Sequence, residues 1–352
     1  MLNVRMNKSP EDAGRILNSR SVVSARQKKS VFWLCSLLCL VWVNLLFGQT
    51  SRPASIRFKK LKAGPYLYLR DVAGFYGMKY SVDGKRVRLH SRYSALYFTQ
   101  DSRLFRMNGL EVNLSFAIVK DKNEMLLAQT DFQYFIDPIL RKNVIPRRRI
   151  RHILLDPGHG DKDPGAQRQG VMEKNVNLLL SRRIAAILRK RGYKVSLTRD
   201  RDCLLRLEQR TAYAKQLQPD LFLSIHCNAI NNASIEGIET YIINPAHTPS
   251  SGGNVFAKKA APGNSFDREN ALLGFLLQTH LLNATKAVDR GIKRKQFYVI
   301  REVACPAALL ELGFLSNDKE RKKLLESHYQ DKLAVAVCDA VQEYENILRP
   351  DK

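Results

Sequence analysis

Two histidines and a carboxylate are placed where they could bind a metal ion or transfer protons. His159, His226 and Glu311 each stand at or just beyond the carboxyl end of a short apolar run. The runs are Ile153–Leu155, Leu221–Ile225 and Ala307–Leu310. Bounded runs of this length are typical of buried parallel strands, and ligands of open α/β sheets bind beyond the carboxyl ends of the strands. The three side chains are therefore expected to converge, which predicts a metal-dependent hydrolase.

Glu173 is a second carboxylate candidate. It precedes a predicted helix and is in register with an apolar stripe formed by Val176, Leu180 and Ile184. Burying a carboxylate at the sheet edge without a partner is unfavourable. Glu173 is therefore expected to have a partner, such as a metal ion. The alternative is a charged residue in the first helical turn, where it interacts favourably with the helix dipole.

His159, Glu173 and His226 together form a known ligand set of catalytic zinc. Two imidazoles and one carboxylate leave a fourth position open for water. The mixed nitrogen and oxygen donors favour zinc over magnesium, which prefers oxygen ligands. Bound zinc lowers the pKa of its water to about 7. Glu311 is then the candidate base for that water and the candidate acid for a leaving amine.

The chain divides at a basic linker, residues 142–151. Residues 152–349 alternate apolar runs with helical patterns, which predicts an α/β catalytic domain. Residues 56–141 contain short alternating runs with Asp-Gly and Asn-Gly hairpin signals, and they predict a small α+β domain of short strands. Within the larger domain we also predict a strand at 296–300. Residues 244–270 lack periodicity, which is typical of a lid or a substrate-shaping loop.

The first fifty residues predict export. Lys28 and Lys29 precede the uncharged segment Val31–Phe47, and small and polar residues follow it. This order is typical of a secretory signal peptide. An uncleaved membrane anchor is the alternative, because the apolar segment is near the lower length limit of a span. In both cases the remainder is expected in the periplasm or the cell envelope.

Composition narrows the class of partner. With 45% hydrophobic and 26% charged residues the chain is an ordinary globular protein, but its net charge is +25. Such a field favours polyanions, namely nucleic acid, anionic lipid or an acidic wall polymer. We find no zinc-finger spacing and no aromatic RNA-binding pair, so nucleic acid is not an expected partner. A membrane is expected as a partner only if the amino-terminal apolar segment is uncleaved.

Four motifs of the larger domain resemble the zinc-dependent N-acetylmuramoyl-L-alanine amidases of the bacterial cell-separation branch. The resemblance runs through nearly all of 152–330. The motifs are Asp-Pro-Gly-His-Gly at 156–160, Glu-Lys-Asn-Val-Asn at 173–177, Ser-Ile-His-Cys-Asn at 224–228 and Leu-Glu-Leu-Gly-Phe-Leu-Ser-Asn at 310–317. The resemblance implies zinc ligation by His159, Glu173 and His226, with Glu311 as the catalytic glutamate. It also implies a mainly parallel, twisted sheet flanked by helices.

The implied reaction is hydrolysis of the amide bond between N-acetylmuramic acid and L-alanine in peptidoglycan. A zinc-bound water would attack, with Glu311 as general base and acid. The zinc set alone leaves open a hydrolase of another exported amide, such as a wall peptide bond or an N-acetyl group. A non-catalytic wall-binding relative is a third alternative, which the intact set of four residues disfavours. Peptidoglycan is the expected partner, and an activator protein stays open as another.

Residues 56–141 resemble the copper amine oxidase N-terminal-like domain. Pro65–Tyr76 and Glu124–Phe135 share a spacing in which a strand turns into a short helix. No cluster of metal-binding residues is found in this segment. The resemblance implies an accessory or wall-contacting module.

Overall fold

Strands before the basic linker form two antiparallel groups. The computed structural model describes residues 55–253 and 255–350, so the predicted targeting segment lies outside the described residues. The strands are β1 (Phe58–Leu61), β2 (Gly64–Tyr68), β3 (Lys79–Asp83), β4 (Arg86–His90), β5 (Ala95–Thr99), β6 (Leu104–Met107), β7 (Leu110–Asn113), β8 (Val119–Asp121) and β9 (Glu124–Ala128). A small sheet has the order β1-β2-β9-β8, whereas β3 to β7 pair in succession with hairpin connections.

Strands after the linker form a mainly parallel arrangement, as the sequence predicts. They are β10 (His152–Pro157), β11 (Gln167–Arg168), β12 (Val171–Met172), β13 (Lys194–Leu197), β14 (Leu221–Asn228), β15 (Ile238–Ile242), β16 (Asp289–Arg294) and β17 (Ala307–Phe314). β10 lies between β13 and β14, and β17 lies beside β14, all parallel. β15 is antiparallel to β17 and parallel to β16. β11 and β12 form a separate hairpin.

One sheet of eleven strands extends across the linker. Its order is β13-β10-β14-β17-β15-β16-β7-β6-β5-β4-β3, with Ile292 of β16 paired to Val112 of β7. A buried ion pair also joins the two segments, because Arg294 Nη1 lies 2.6 Å from Asp131 Oδ1. The domain boundaries 56–141 and 152–349 stay a prediction, and strands from both sides of the linker share this sheet.

Helices lie on both faces of the sheet. They are α1 (Leu69–Phe75), α2 (the consecutive helical pieces Gln129–Asp131, Phe132–Ile136 and Asp137–Leu140), α3 (Glu173–Lys190), α4 (Leu207–Leu217), α5 (Asp267–Thr285), α6 (Tyr298–Arg301), α7 (Asp318–Leu325) and α8 (Ser327–Leu348). Short 3-10 turns occur at Lys142–Val144 and Pro262–Phe266. On one face of the sheet α3, α5 and α8 pack together, and α2 contacts α5. On the other face α4 and α6 pack together, and their residues Ala214, Val299 and Ile300 are buried against Leu154, Phe222 and Leu309. In the described part of the chain no helix is long and apolar enough to cross a membrane.

The prediction of a strand at 296–300 is wrong. Tyr298–Arg301 is a helical turn whose Val299 and Ile300 are buried, and the strand is the preceding Asp289–Arg294. That strand has a polar sequence, and its conformation follows from pairing on both sides with β15 and β7. A short apolar run cannot by itself distinguish a strand from a buried helical turn.

The segment 244–270 is anchored by polar contacts. Ser251 donates its backbone N–H to the Arg294 carbonyl at 2.7 Å, and Arg103 donates to the Ser250 carbonyl at 3.0 Å. Thr248, Ser250 and Ser251 are all buried. The role of this segment as a lid stays a prediction.

Candidate active site

His159 and His226 lie together at the carboxyl edge of the sheet. His226 is near the end of β14, and His159 follows β10 by two residues. His159 has a φ of 62°, a left-handed conformation that is uncommon for a residue with a side chain. A Cβ atom at the neighbouring Gly158 would lie only 2.4 Å from Nε2 of His226. The glycine therefore lets the backbone of one histidine approach the ring of the other.

Glu173 joins the two histidines at a single point. It is the first residue of α3, and its Oε1 lies 3.2 Å from Nε2 of His159 and 2.9 Å from Nδ1 of His226. Ligand atoms of all three residues lie within 4.8 Å of one another. Burial opposes the charged form of Glu173, but hydrogen bonds with His159 and His226 hold its pKa well below the ordinary value. Two ring nitrogens and one carboxylate oxygen fit the donor set of zinc.

Asp163 orients the His159 ring. Its Oδ2 lies 2.8 Å from Nδ1 of His159, and its Oδ1 accepts the backbone N–H of Gly165 at 3.1 Å. A carboxylate on the far nitrogen of a metal-binding imidazole fixes the tautomer and the orientation of the ring. Nε2 of His159 is thereby directed toward Glu173.

Two buried arginines hold the loop that carries His159. Arg210 donates to Oδ1 of Asp156 at 2.7 Å and to the carbonyl oxygen of His159 at 2.8 Å. Arg199 donates to the carbonyl oxygens of Pro157 and Gly158 at 3.0 and 2.8 Å. Burial alone would raise the pKa of Asp156, but the Arg210 guanidinium holds it below its ordinary value. The loop therefore rests on one buried ion pair and on hydrogen bonds from both arginines to backbone carbonyl groups.

Glu311 faces the same site from the neighbouring strand. It is opposite His226 in β14 and opposite Glu239 in β15. The sequence places Glu311 at a strand end, whereas β17 continues to Phe314. Its Oε2 is buried and has no hydrogen-bond partner among the described residues. Burial, together with the negative charge of Glu173, raises the pKa of Glu311 well above its ordinary value.

Two cavities meet at His159, His226 and Glu311. One, of about 510 Å³, also contacts Glu173 and the β11–β12 hairpin at Gln167 and Arg168. The other, of about 440 Å³, has a largely apolar wall. That wall includes Leu204, Leu205, Leu207, Phe297, Val299 and Leu309. Among the described residues, none from 244–270 lines either cavity.

Some residues of the site have no role assigned from the sequence. Asp163, Arg199 and Arg210 lie outside the four motifs that carry the amidase resemblance, and nothing in their spacing indicates what they contact. A carboxylate four residues after a candidate histidine ligand is a weak signal for Asp163.

Cys227 is buried in the core on the opposite side of β14 from His226, as expected for its neighbour on a strand. Burial raises the pKa of the Cys227 thiol well above its ordinary value.

Comparison with known proteins gives the class of this chain. Residues 153–343 match the family described as N-acetylmuramoyl-L-alanine amidase, and the chain belongs to that family. The family match begins after residues 56–141, so the resemblance of that segment to the copper amine oxidase N-terminal-like domain stays a prediction.

The individual relatives named here each cover just over half of this chain. The uncharacterized protein YqiI of Bacillus subtilis is 34% identical over 193 residues, which are 54% of this chain and 84% of YqiI. The N-acetylmuramoyl-L-alanine amidase LytC of the same organism is 35% identical over 54% of this chain and only 35% of LytC. AmiA of Escherichia coli, an amidase of the same description, is 28% identical over 55% of this chain and 76% of its own length.

Solved structures of such amidases cover a similar share of the chain. The N-acetylmuramoyl-L-alanine amidase of Clostridium difficile 630 is 30% identical, with a TM-score of 0.49 over 56% of this chain and 98% of that structure. The CwlD amidase of Clostridioides difficile, solved in complex with the GerS lipoprotein, is 27% identical, with a TM-score of 0.48 over 56% of this chain and 99% of that structure.

Proposed function

We propose that this protein hydrolyses the amide bond between N-acetylmuramic acid and L-alanine in peptidoglycan, in a zinc-dependent reaction. The observation that carries the proposal is the convergence of His159, Glu173 and His226 beside Glu311. Membership of the amidase family supplies the substrate class.

The three convergent side chains would hold the metal. His159 and His226 would each bind through a ring nitrogen, and Glu173 through a carboxylate oxygen. Bound zinc supplies a Lewis acid that polarises the scissile carbonyl group and lowers the pKa of water. Asp163 keeps the His159 ring in its binding orientation, and Arg199 and Arg210 keep the loop in place.

Glu311 would move the proton. Its Oε2 has no hydrogen-bond partner among the described residues, so this atom is free to accept a proton from the attacking water. The same carboxyl group would then deliver the proton to the leaving amine of L-alanine. The cavities on either side of Glu311 would receive the two halves of the substrate around the scissile amide.

Export to the periplasm or the cell envelope is part of the proposal. It rests on the apolar segment Val31–Phe47 and on the wall substrate. A protein activator stays an open prediction.

A soluble N-acetylmuramoyl-L-alanyl peptide provides the test. The zinc-loaded protein is expected to release a peptide with a free L-alanine amino group, to lose turnover in a chelator and to regain it when zinc is added. His159→Ala should lose roughly one zinc per chain by metal analysis. Full turnover in excess chelator, or cleavage inside the peptide, would contradict the proposal.

A further inference from the structure

A row of side chains runs from the active site across the sheet to its far strands. Glu311 is opposite Glu239 in β15, and Tyr241, two residues further along the same face, is opposite Lys293 in β16. Val112 and Ile292 are paired core residues, so their neighbours Glu111 and Lys293 share the other face. The face that carries Glu311 therefore continues onto β7.

The same face continues over the strands before the linker. Glu111 is opposite Arg106, Arg106 is opposite Tyr97, and Tyr97 is opposite Arg88. From β17 to β5 the row spans five strand spacings, or about 24 Å at roughly 4.8 Å each. Glu239 and Tyr241 in this row are buried, whereas Arg88, Tyr97 and Arg106 are exposed, so the row reaches open surface on the strands before the linker.

Only one side of these strands is covered by the core. Val87, Leu89, Leu96, Phe98 and Met107 are buried in the main core, together with Leu69 and Val72 of α1. On the other side lies an open groove of about 800 Å³ that includes Arg86, Arg88, Tyr97 and Arg106. We call these four residues the arginine–tyrosine face.

The arginine–tyrosine face combines three arginines with an exposed aromatic ring. Tyr97 is 44% exposed, and the Arg88 guanidinium lies 5.4 Å from the centre of its ring. Arg106 is paired with Glu111 at 2.9 Å. Arg86 and Arg88 have no ion pair within the described part of the chain. Guanidinium groups suit bidentate contacts with carboxylates, and tyrosine and arginine are enriched at binding interfaces.

We propose that the arginine–tyrosine face binds peptidoglycan strands of the wall, with the arginines on peptide-stem carboxylates and Tyr97 against the sugar backbone. This inference rests on the proposed function, which supplies the polymer. Asp83 and Glu111 lie in the same groove, a mixture that suits scattered carboxylates and hydroxyl groups better than a continuous phosphate backbone. Of the apolar side chains that line the groove, Leu104 is exposed but Val87, Phe98 and Phe105 are buried, which is less exposed apolar surface than an interfacial lipid anchor needs.

Co-sedimentation with purified sacculi tests the proposal. The full-length zinc-loaded protein is compared with Arg86→Ala/Arg88→Ala, with Tyr97→Ala and with Arg86→Lys/Arg88→Lys. The matched control is Lys322→Ala/Lys323→Ala, which removes the same charge from α7, where Leu324 packs into the core on the opposite side of the sheet. Thermal midpoints check that each variant is folded.

The double alanine variant should bind sacculi at least about tenfold more weakly, and Tyr97→Ala should also weaken binding. The double lysine variant should keep part of the affinity, and the control should bind like the parent. Turnover of the soluble fragment should be unchanged in all of them.

Unchanged binding by the double alanine variant, or an equal loss in the control, would overturn the proposal. So would tighter binding to DNA or to anionic phosphatidylglycerol vesicles than to sacculi through the same residues. If the parent binds sacculi through this face but does not cleave the soluble fragment, the proposed reaction fails and the binding surface stands.

Discussion

At the scale of single residues, Glu311 differs from the three candidate ligands in its surroundings. Oε1 of Glu173 lies within hydrogen-bonding distance of both histidine rings, whereas Oε2 of Glu311 has no hydrogen-bond partner among the described residues. A fourth protein ligand would close a tetrahedral zinc site and leave no position for water. The geometry therefore favours Glu311 as the base.

Glu311→Gln should separate the two roles. The variant is expected to keep its zinc and to lose a factor of about 10² to 10⁴ in turnover, because the amide cannot accept the proton. Zinc per chain and turnover of the soluble fragment are measured on the same sample. Glu173→Gln is the comparison and should lose zinc as well as activity. Loss of zinc from Glu311→Gln would make Glu311 a ligand.

Asp163→Asn should weaken metal binding without removing a ligand. The His159 ring would lose the carboxylate that orients it, and such partners typically contribute a factor of about 10 to 100 in metal affinity. A competition titration with a chromogenic chelator measures the zinc dissociation constant. Asp161→Asn, an exposed carboxylate of the same loop, is the control. Equal affinity in both variants would show that Asp163 does not support the site.

The sequence could predict which residues meet, but not what supports them. His159 and His226 follow apolar runs, and Glu173 continues an apolar stripe, so each has a periodic pattern that fixes its place. Asp163 has no such pattern, because its contact depends on how the irregular loop after His159 turns back. Arg199 and Arg210 likewise donate hydrogen bonds to backbone carbonyl groups. Such contacts cannot be predicted from sequence spacing, because every residue has a carbonyl group.

At the scale of elements, burial decides which strands could be predicted. β10, β14 and β17 have apolar residues on both faces and were predictable as parallel strands. β16 has a polar sequence and becomes a strand only through its neighbours, so periodicity missed it. The apolar run that follows it packs as the helical turn α6 instead.

Arg210→Met should destabilise the sheet edge that carries His159. Arg210 and Asp156 are 4% and 1% exposed, and removing one partner leaves the other as an unpaired buried charge. Such a loss typically costs about 3–5 kcal/mol in the free energy of unfolding. Urea unfolding provides the measurement. Lys215→Met on the exposed side of the same helix should change it little, and a similarly small loss for Arg210→Met would contradict the role of the pair.

Asp267 at the start of α5 should give stability a dependence on pH. Burial raises its pKa from the ordinary 3.8 to about 7. Between these values the native state binds a proton that the unfolded state does not, so the contribution of Asp267 to stability falls as pH rises. Asp267→Asn should reduce the loss of unfolding free energy between about pH 4 and about pH 7, measured in urea. An unchanged loss would contradict the raised pKa.

At the scale of the whole molecule, the two sequence segments are structurally joined. Strand pairing between β7 and β16 and the buried Asp131–Arg294 ion pair both cross the linker. The sequence predicts a division at 142–151 because the composition changes there. Composition carries no information about which distant strands pair, so it could not predict the shared sheet. Deleting residues 56–141 would leave Arg294 as a buried cation without its carboxylate.

Residues 55–350 should consequently unfold in one cooperative transition. Calorimetry is expected to give a single peak whose van't Hoff and calorimetric enthalpies agree. Asp131→Asn should move the whole peak to lower temperature, because it weakens the junction that both segments share. Two separate peaks, with only the first moved by the substitution, would show that the segments fold independently.

The identity of the bond that the protein cleaves in peptidoglycan tests the proposed function most directly. Purified sacculi are digested with the zinc-loaded protein, with Glu311→Gln as the control, and all products are weighed by mass spectrometry. We expect free stem peptides that begin with L-alanine, together with glycan strands that have lost their peptides, and neither product from the control. Peptides that remain attached to muramic acid, with cleavage inside the stem or in the glycan, would contradict the proposed amidase reaction.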